Sequence, residues 1–122
     1  MRVVALGGAG DMGRYAVRTA VAFDFVEEVV VADLQLAAAE RIAERAGAKA
    51  RPAAVNAEDA AGLRDLLRGA DVVLNTVGPF YRFGVPILEA AIDAGCNYLD
   101  ICDDWEPTLA MLELDPRARD AG

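Results

Sequence analysis

Seven residues near the start of the chain carry the densest chemical information. Gly7-Gly8-Ala9-Gly10-Asp11-Met12-Gly13 follows the apolar run Val3-Val4-Ala5-Leu6 and opens a helical pattern. Some twenty positions further on, at the end of a second apolar run, stands Asp33. Strand, glycine turn, helix, strand and acid in that order form a dinucleotide-binding fingerprint. Gly8 is expected to let the chain turn sharply out of the first strand. Gly10, which has no Cβ, would admit a pyrophosphate to the backbone, and Gly13 would let the first helix lie close on the sheet. Asp11 and Met12 complete the turn at the helix start, where unpaired N–H groups and a partial positive charge attract phosphate. The Asp11 carboxylate would stabilise the helix dipole but repel a pyrophosphate unless it points away.

Asp33 would accept hydrogen bonds from the adenosine ribose hydroxyls. A 2′-phosphate in the same place would meet a like charge, at a cost on the order of 1–4 kcal/mol for charges about 4 Å apart. Leu34 and Gln35 follow, so no arginine is adjacent to receive that phosphate, and Arg14 and Arg51 are more distant in the chain. Among the forms of NAD(P), the expectation is therefore NAD.

Two further segments hold reactive side chains. The fourth apolar run ends in Asn75-Thr76-Val77-Gly78-Pro79-Phe80-Tyr81. In a doubly wound sheet this end flanks the ligand crevice. Asn75 and Thr76 can hydrogen-bond a ribose or phosphate, Gly78-Pro79 turns the loop, and Phe80 or Tyr81 offers an aromatic wall; a plain strand-to-helix turn is the simpler alternative. The second segment is Tyr98-Leu99-Asp100-Ile101-Cys102-Asp103-Asp104-Trp105. Its three carboxylates suit a cationic substrate or acid–base work, with Asp100 and Asp103 as catalytic candidates beside Tyr98. Equally, Asp103 or Asp104 would cap the next helix and Asp100 would hold a turn. Cys102 reads as a small apolar residue rather than a nucleophile, since no histidine exists to activate it. Cys96 reads as structural, and Trp105 and Phe83 as core or as surface covered by another part of a longer protein.

These residues need strands and helices to position them. Strands are expected near 2–6, 28–33, 49–55, 71–76 and 97–101, recurring roughly every two dozen residues, the length of a strand-helix unit. The first helix shows Met12, Tyr15, Ala16, Thr19, Ala20 and Phe23 at 3–4 spacing, a face for the sheet. The second, near 35–46, turns Ala39, Ile42, Ala43 and Ala46 inward. The third has Asn56 as N-cap with Asp59 three residues on, then Leu63, Leu66 and Leu67. The fourth starts near Val85-Pro86, with Ile87, Ala90, Ala91 and Ala94 inward. A fifth helical stretch over 105–120 is interrupted near Asp115-Pro116. Strict alternation demands right-handed crossovers and a buried parallel sheet. The fold class is α/β: a Rossmann-type doubly wound parallel sheet of order 3-2-1-4-5, one dinucleotide-binding domain over 1–122. Three helices end in glycine before the next strand, at Gly47, Gly69 and Gly95, and the chain ends Asp120-Ala121-Gly122 with the same signature. It therefore reads as a piece of a longer two-domain protein, cut before a sixth strand, with an apolar fifth-strand edge open to homo-oligomer formation.

Composition narrows the partners. The 122 residues include no histidine and two cysteines, and carry a net charge of −8. That charge argues against nucleic acid and anionic membrane. The missing histidines and scarce cysteines argue against a histidine proton shuttle, a disulfide framework and any metal centre. No leader or spanning segment is visible, which fits a reducing cytoplasm.

With Gly-Gly-Ala-Gly-Asp-Met-Gly at the start, Asn75-Thr76-Val77-Gly78-Pro79-Phe80 in the middle and Tyr98-Leu99-Asp100 late, the chain resembles the N-terminal domain of the saccharopine dehydrogenase-like family. That group also includes saccharopine reductases and carboxynorspermidine-type dehydrogenases. The resemblance covers the whole chain and implies a nicotinamide-dependent oxidoreductase acting on a carbon–nitrogen bond of an amino-acid-like substrate. It implies that Gly8, Gly10 and Gly13 hold the pyrophosphate, Asp33 the adenosine ribose, and Asn75 to Phe80 the nicotinamide side. Tyr98 and Asp100 would line the junction with a larger substrate domain, so the isolated chain would bind cofactor without turnover. The fingerprint also fits a non-enzymatic class, a regulatory NAD-sensing domain of the ion-transport gating or redox-repressor type.

Overall fold

The computed structural model describes residues 1–122. Strands β1 (Arg2–Leu6), β2 (Glu28–Asp33), β3 (Ala50–Ala54), β4 (Val72–Asn75) and β5 (Asn97–Asp100) alternate with helices α1 (Gly13–Ala20), α2 (Leu36–Ala46), α3 (Ala60–Leu67) and α4 (Phe80–Ala94), and α5 (Trp105–Leu112) and α6 (Asp115–Ala121) follow. All strand pairs are parallel and the order is β3-β2-β1-β4-β5, the expected doubly wound sheet. Pro52 lies in β3, an edge strand, where its missing N–H is tolerated.

Side chains alternate between the two faces of the sheet. Val4, Leu6, Val30, Ala32 and Val73 pack with Leu63 and Leu67 of α3 and Ile87, Ala90 and Ala91 of α4. Val3, Ala5, Val29 and Val31 pack with Val17 and Ala20 of α1 and Ala39 and Ala43 of α2. Each buried valine, leucine or isoleucine contributes about 1.5–3 kcal/mol, so this double-sided core dominates the driving force.

The helices differ from the sequence expectation in three places. Asp59, not Asn56, caps α3: its Oδ1 accepts from the Ala61 and Gly62 N–H groups at 3.1 Å. Asn56 instead folds a local turn, accepting from the Glu58 N–H at 3.0 Å. The fourth helix begins at Phe80 rather than Val85, because Pro79 in extended conformation (φ −77°, ψ 143°) launches it a turn and a half earlier. Pro86 therefore sits in the helix interior, where it has no N–H to offer the Arg82 carbonyl. Gly84, on the same helix, lets Met111 of α5 approach: a Cβ there would lie 3.2 Å from the Met111 sulfur.

The third difference concerns α1. The face it buries is Gly13, Val17 and Ala20, not the larger residues of the expected stripe. Met12, Tyr15 and Phe23 are about half exposed and overhang the uncovered front of β4 and β5. There α1 and α2 cover only the β1-β2-β3 half of the sheet. Val72, Leu74, Leu99 and Ile101, with the stacked rings of Phe23 and Phe25 (centroids 5.0 Å apart), border an apolar groove of about 440 Å³.

Candidate dinucleotide crevice

The strand order reverses between β1 and β4, and the crevice opens there, at the carboxyl ends of the strands. Register aligns Leu6 of β1 with Ala32 on one side and Asn75 on the other, and Asp33 with Ala54. Residues from four strand ends thus meet around one cleft of about 470 Å³ that includes Gly7, Gly10, Asp33, Thr76, Val77 and Gly78.

The glycine turn is built around one carbonyl. Gly7, rather than Gly8, takes the left-handed conformation (φ +69°) that turns the chain out of β1. Its oxygen accepts from the Gly10 N–H at 2.9 Å. A Cβ on Gly13 would fall 2.0 Å from that same oxygen, so only glycine lets α1 come down here. Gly8 is glycine for want of space, its Cβ position lying 2.8 Å from the Ala5 oxygen. At Gly10 the sole close neighbour of a Cβ would be the Gly7 oxygen, at 3.2 Å, and the other side faces the crevice. The N–H groups of Asp11 and Met12 have no acceptor within the protein. They are unspent donors at a helix start, where an anion is favoured. The Asp11 side chain projects into solvent and pairs with Arg14 at 3.2 Å, so its charge is turned away from those donors.

Asp33 lines the crevice and also braces it. One carboxylate oxygen accepts from the Ala9 N–H at 3.2 Å and the other from the Gln35 N–H at 3.1 Å. A carboxylate has about four lone-pair sites, which leaves capacity for two ribose hydroxyls. Thr76 stands opposite, its hydroxyl 2.8 Å from the Leu6 oxygen and 3.2 Å from the Gly7 oxygen.

Asn75 does not face the crevice. It is fully buried, accepting from the Val77 N–H at 2.9 Å and donating to the Tyr98 hydroxyl at 3.0 Å. A ligand would reach neither end, so its action is on the loop above it. Phe80 is buried too, and Tyr81 is exposed; the aromatic ring at the crevice belongs to Phe83. Pro79, at the start of α4, and the Met12 side chain, at the start of α1, lie outside the crevice lining.

The catalytic candidates are not gathered at this cleft. Tyr98 is held by Asn75 and lies 3.8 Å from the Met111 sulfur, and burial pushes its hydroxyl pKa upward. Asp100 holds a turn through the Cys102 N–H at 2.9 Å. Asp103 is exposed on the following loop. No group of three or more His, Cys, Asp or Glu side chains is arranged to hold a metal ion.

Sequence reasoning missed the far wall of the crevice, formed by Val55 to Glu58 after β3 and by Arg82 on α4. Arg82 is its only cation, and its guanidinium is paired with Glu58 of the same wall. The available signal was topological: β3 ends level with Asp33, so the residues just after it must border the same cleft.

Known proteins share this architecture. Over 85% of this chain it is 33% identical to a saccharopine dehydrogenase-like oxidoreductase of Arabidopsis thaliana, covering 26% of that protein. Over 93% of the chain it is 28% identical to carboxyaminopropylagmatine dehydrogenase of Synechocystis, covering 29% of that protein. Its fold superposes on apo saccharopine dehydrogenase (L-Glu forming) of Saccharomyces cerevisiae with a TM-score of 0.81 at 26% identity, covering 99% of this chain and 25% of that one. The chain thus spans about a quarter of the length of these relatives. The family model for the saccharopine dehydrogenase NADP binding domain matches residues 3–122. With the crevice, the unspent donors at α1 and Asp33 in place, the chain belongs to this family of nicotinamide dinucleotide-binding oxidoreductase domains.

Proposed function

We propose that this chain binds NAD(H) in preference to NADP(H), as the cofactor half of an oxidoreductase acting at a carbon–nitrogen bond of an amino-acid-like substrate. The observation that carries the cofactor choice is the Asp33 carboxylate, set at the end of β2 inside the crevice and followed by Leu34 and Gln35. A 2′-phosphate beside it would cost on the order of 1–4 kcal/mol. Arg82, the one guanidinium of the cleft, is engaged by Glu58. The substrate class rests on the relatives, one named for saccharopine and another for carboxyaminopropylagmatine. In this role the chain's residues bind and orient: the donors of Asp11 and Met12 take the pyrophosphate, and Asp33 takes the ribose. The bound nicotinamide would supply the hydride chemistry. The isolated chain binds without turning over, because Tyr98, Asp100 and Asp103 stand outside the crevice and the carboxylates that line it, Asp33 and Glu58, are engaged in holding the turn and in pairing with Arg82.

Calorimetric titration with NADH and, separately, NADPH tests the reading. NADH is expected to bind at least tenfold more tightly. A preference for NADPH would reject the role of Asp33 and point to Arg82, freed from an exposed ion pair of small worth. Cofactor oxidation by the isolated chain would refute its inactivity.

A further inference from the structure

Thr76 is placed where a direct ligand contact is the obvious reading, yet its hydroxyl is already committed. The two oxygens it meets, of Leu6 at 2.8 Å and Gly7 at 3.2 Å, are carbonyls that can only accept. The single hydroxyl proton must therefore point at them. It cannot also be given to a phosphate oxygen, and only the lone pairs remain for a ligand. The Thr76 N–H donates to Leu6 as well, at 3.0 Å, so the end of β4 grips the end of β1 through backbone and side chain together.

We propose that Thr76 is a positioning residue, which fixes the glycine turn through the Gly7 carbonyl and so aims the Asp11 and Met12 N–H groups at the pyrophosphate. The Gly7 oxygen joins three parts: it accepts from Gly10, it lies under the Cα of Gly13 where α1 descends, and it meets Thr76 from the opposite lip of the crevice. Without the hydroxyl, the Gly7 carbonyl keeps only the Gly10 N–H as donor, and nothing from β4 holds the turn in place. The fit is tight from the other direction also, since a Cβ on Gly7 would come within 2.9 Å of the Thr76 hydroxyl oxygen.

The inference rests on the dinucleotide reading, and two measurements keep the two apart. Thr76→Val keeps the shape and removes the hydroxyl; Thr76→Ser keeps the hydroxyl. Loss of one such bond is worth about tenfold. NADH affinity should fall about tenfold in Thr76→Val and recover to within about twofold in Thr76→Ser. Adenosine, which has no pyrophosphate, should bind all three proteins equally in a chemical-shift titration. Equal loss of adenosine and NADH, or failure of serine to rescue, would overturn the proposal, as would unchanged NADH affinity in Thr76→Val. Amide exchange at Gly10 tests the clamp without ligand and should quicken about tenfold in Thr76→Val alone. Wild-type protein that binds no NADH would reject the dinucleotide reading, while the Gly10 exchange rates would still judge the clamp: equal rates in the three proteins would overturn it.

Discussion

Alanine at Gly13 and alanine at Gly10 should separate the two tasks of the glycine turn. At Gly13 the added carbon would sit 2.0 Å from the Gly7 oxygen and 2.8 Å from both the Gly7 carbonyl carbon and the Gly8 Cα. All three are backbone atoms, so no side-chain rotation relieves the overlap. A carbon meets a carbonyl oxygen comfortably at roughly 3.3 Å, so α1 must retreat by more than about 1 Å. That retreat loosens Val17 and Ala20 from Val3, Ala5 and Val31. Overpacking costs about 1–3 kcal/mol, and with no soft neighbour the upper figure applies, a loss of roughly a hundredfold in the folding equilibrium. At Gly10 the single neighbour is 3.2 Å away and can yield by a few tenths of an ångström, so stability should change by less than about 1 kcal/mol. The new methyl would nonetheless stand where a pyrophosphate approaches the backbone, and NADH affinity should fall by at least tenfold. Urea unfolding and calorimetric titration on both variants read the two effects. Gly78→Ala is the control for the unfolding measurement alone: nothing lies within 4 Å of its Cβ position, though it borders the crevice. A Gly13→Ala protein of wild-type stability would refute the close approach of α1, and a Gly10→Ala protein of wild-type affinity would refute the phosphate seat.

Two other outcomes follow from the capping and titration chemistry. Asp59→Ala removes the side chain that caps α3 at Ala61 and Gly62 and should cost about 1 kcal/mol in urea unfolding; an unchanged midpoint would show that the cap is idle. Burial pushes the Cys96 thiol up to about 11 from 9.0, and burial pushes the Tyr98 hydroxyl up as well. Both groups hold their protons more firmly when folded, so the Cys96 contribution is complete below pH 9 and is lost as the pH rises through about 11, and the Tyr98 contribution begins to fall only above pH 10. Thermal unfolding scans should show stability falling over that window, and Cys96→Ala should shallow the fall.

The sheet order and the first lip of the crevice were legible because they depend on local pattern. Apolar runs such as Val29 to Ala32, separated by helical stretches and glycines, leave few topologies open, and the fingerprint from Gly7 to Gly13 is contiguous. What stayed hidden depends on contacts between distant segments. Asn56 and Asp59 are both good caps in isolation, and only the path out of β3 chooses between them. Met12, Tyr15 and Phe23 have helical spacing and apolar character, but the close descent of α1 at Gly13 turns the small face of the helix inward. Asn75 looks like a ligand residue until Tyr98, from the neighbouring strand, takes its amide. Glu58 and Arg82 meet only because the crossover through α3 brings the loop after β3 to the first turn of α4.

The uncovered front of β4 and β5 leaves an apolar groove open to solvent on a strongly acidic chain. The folded chain exposes 6983 Å², about a tenth more than the roughly 6300 Å² of a compact monomer of 12.9 kDa. The groove beneath Tyr15 and Phe23 is part of that surplus and is almost wholly apolar. A net charge of −8 holds the molecules apart only while their fields reach across the solvent. At 0.1 M salt that reach shrinks to about 10 Å, and sulfate further strengthens contact between apolar surfaces. Added salt should therefore lower the solubility of this acidic chain, with the attraction arising at the bare half of the sheet.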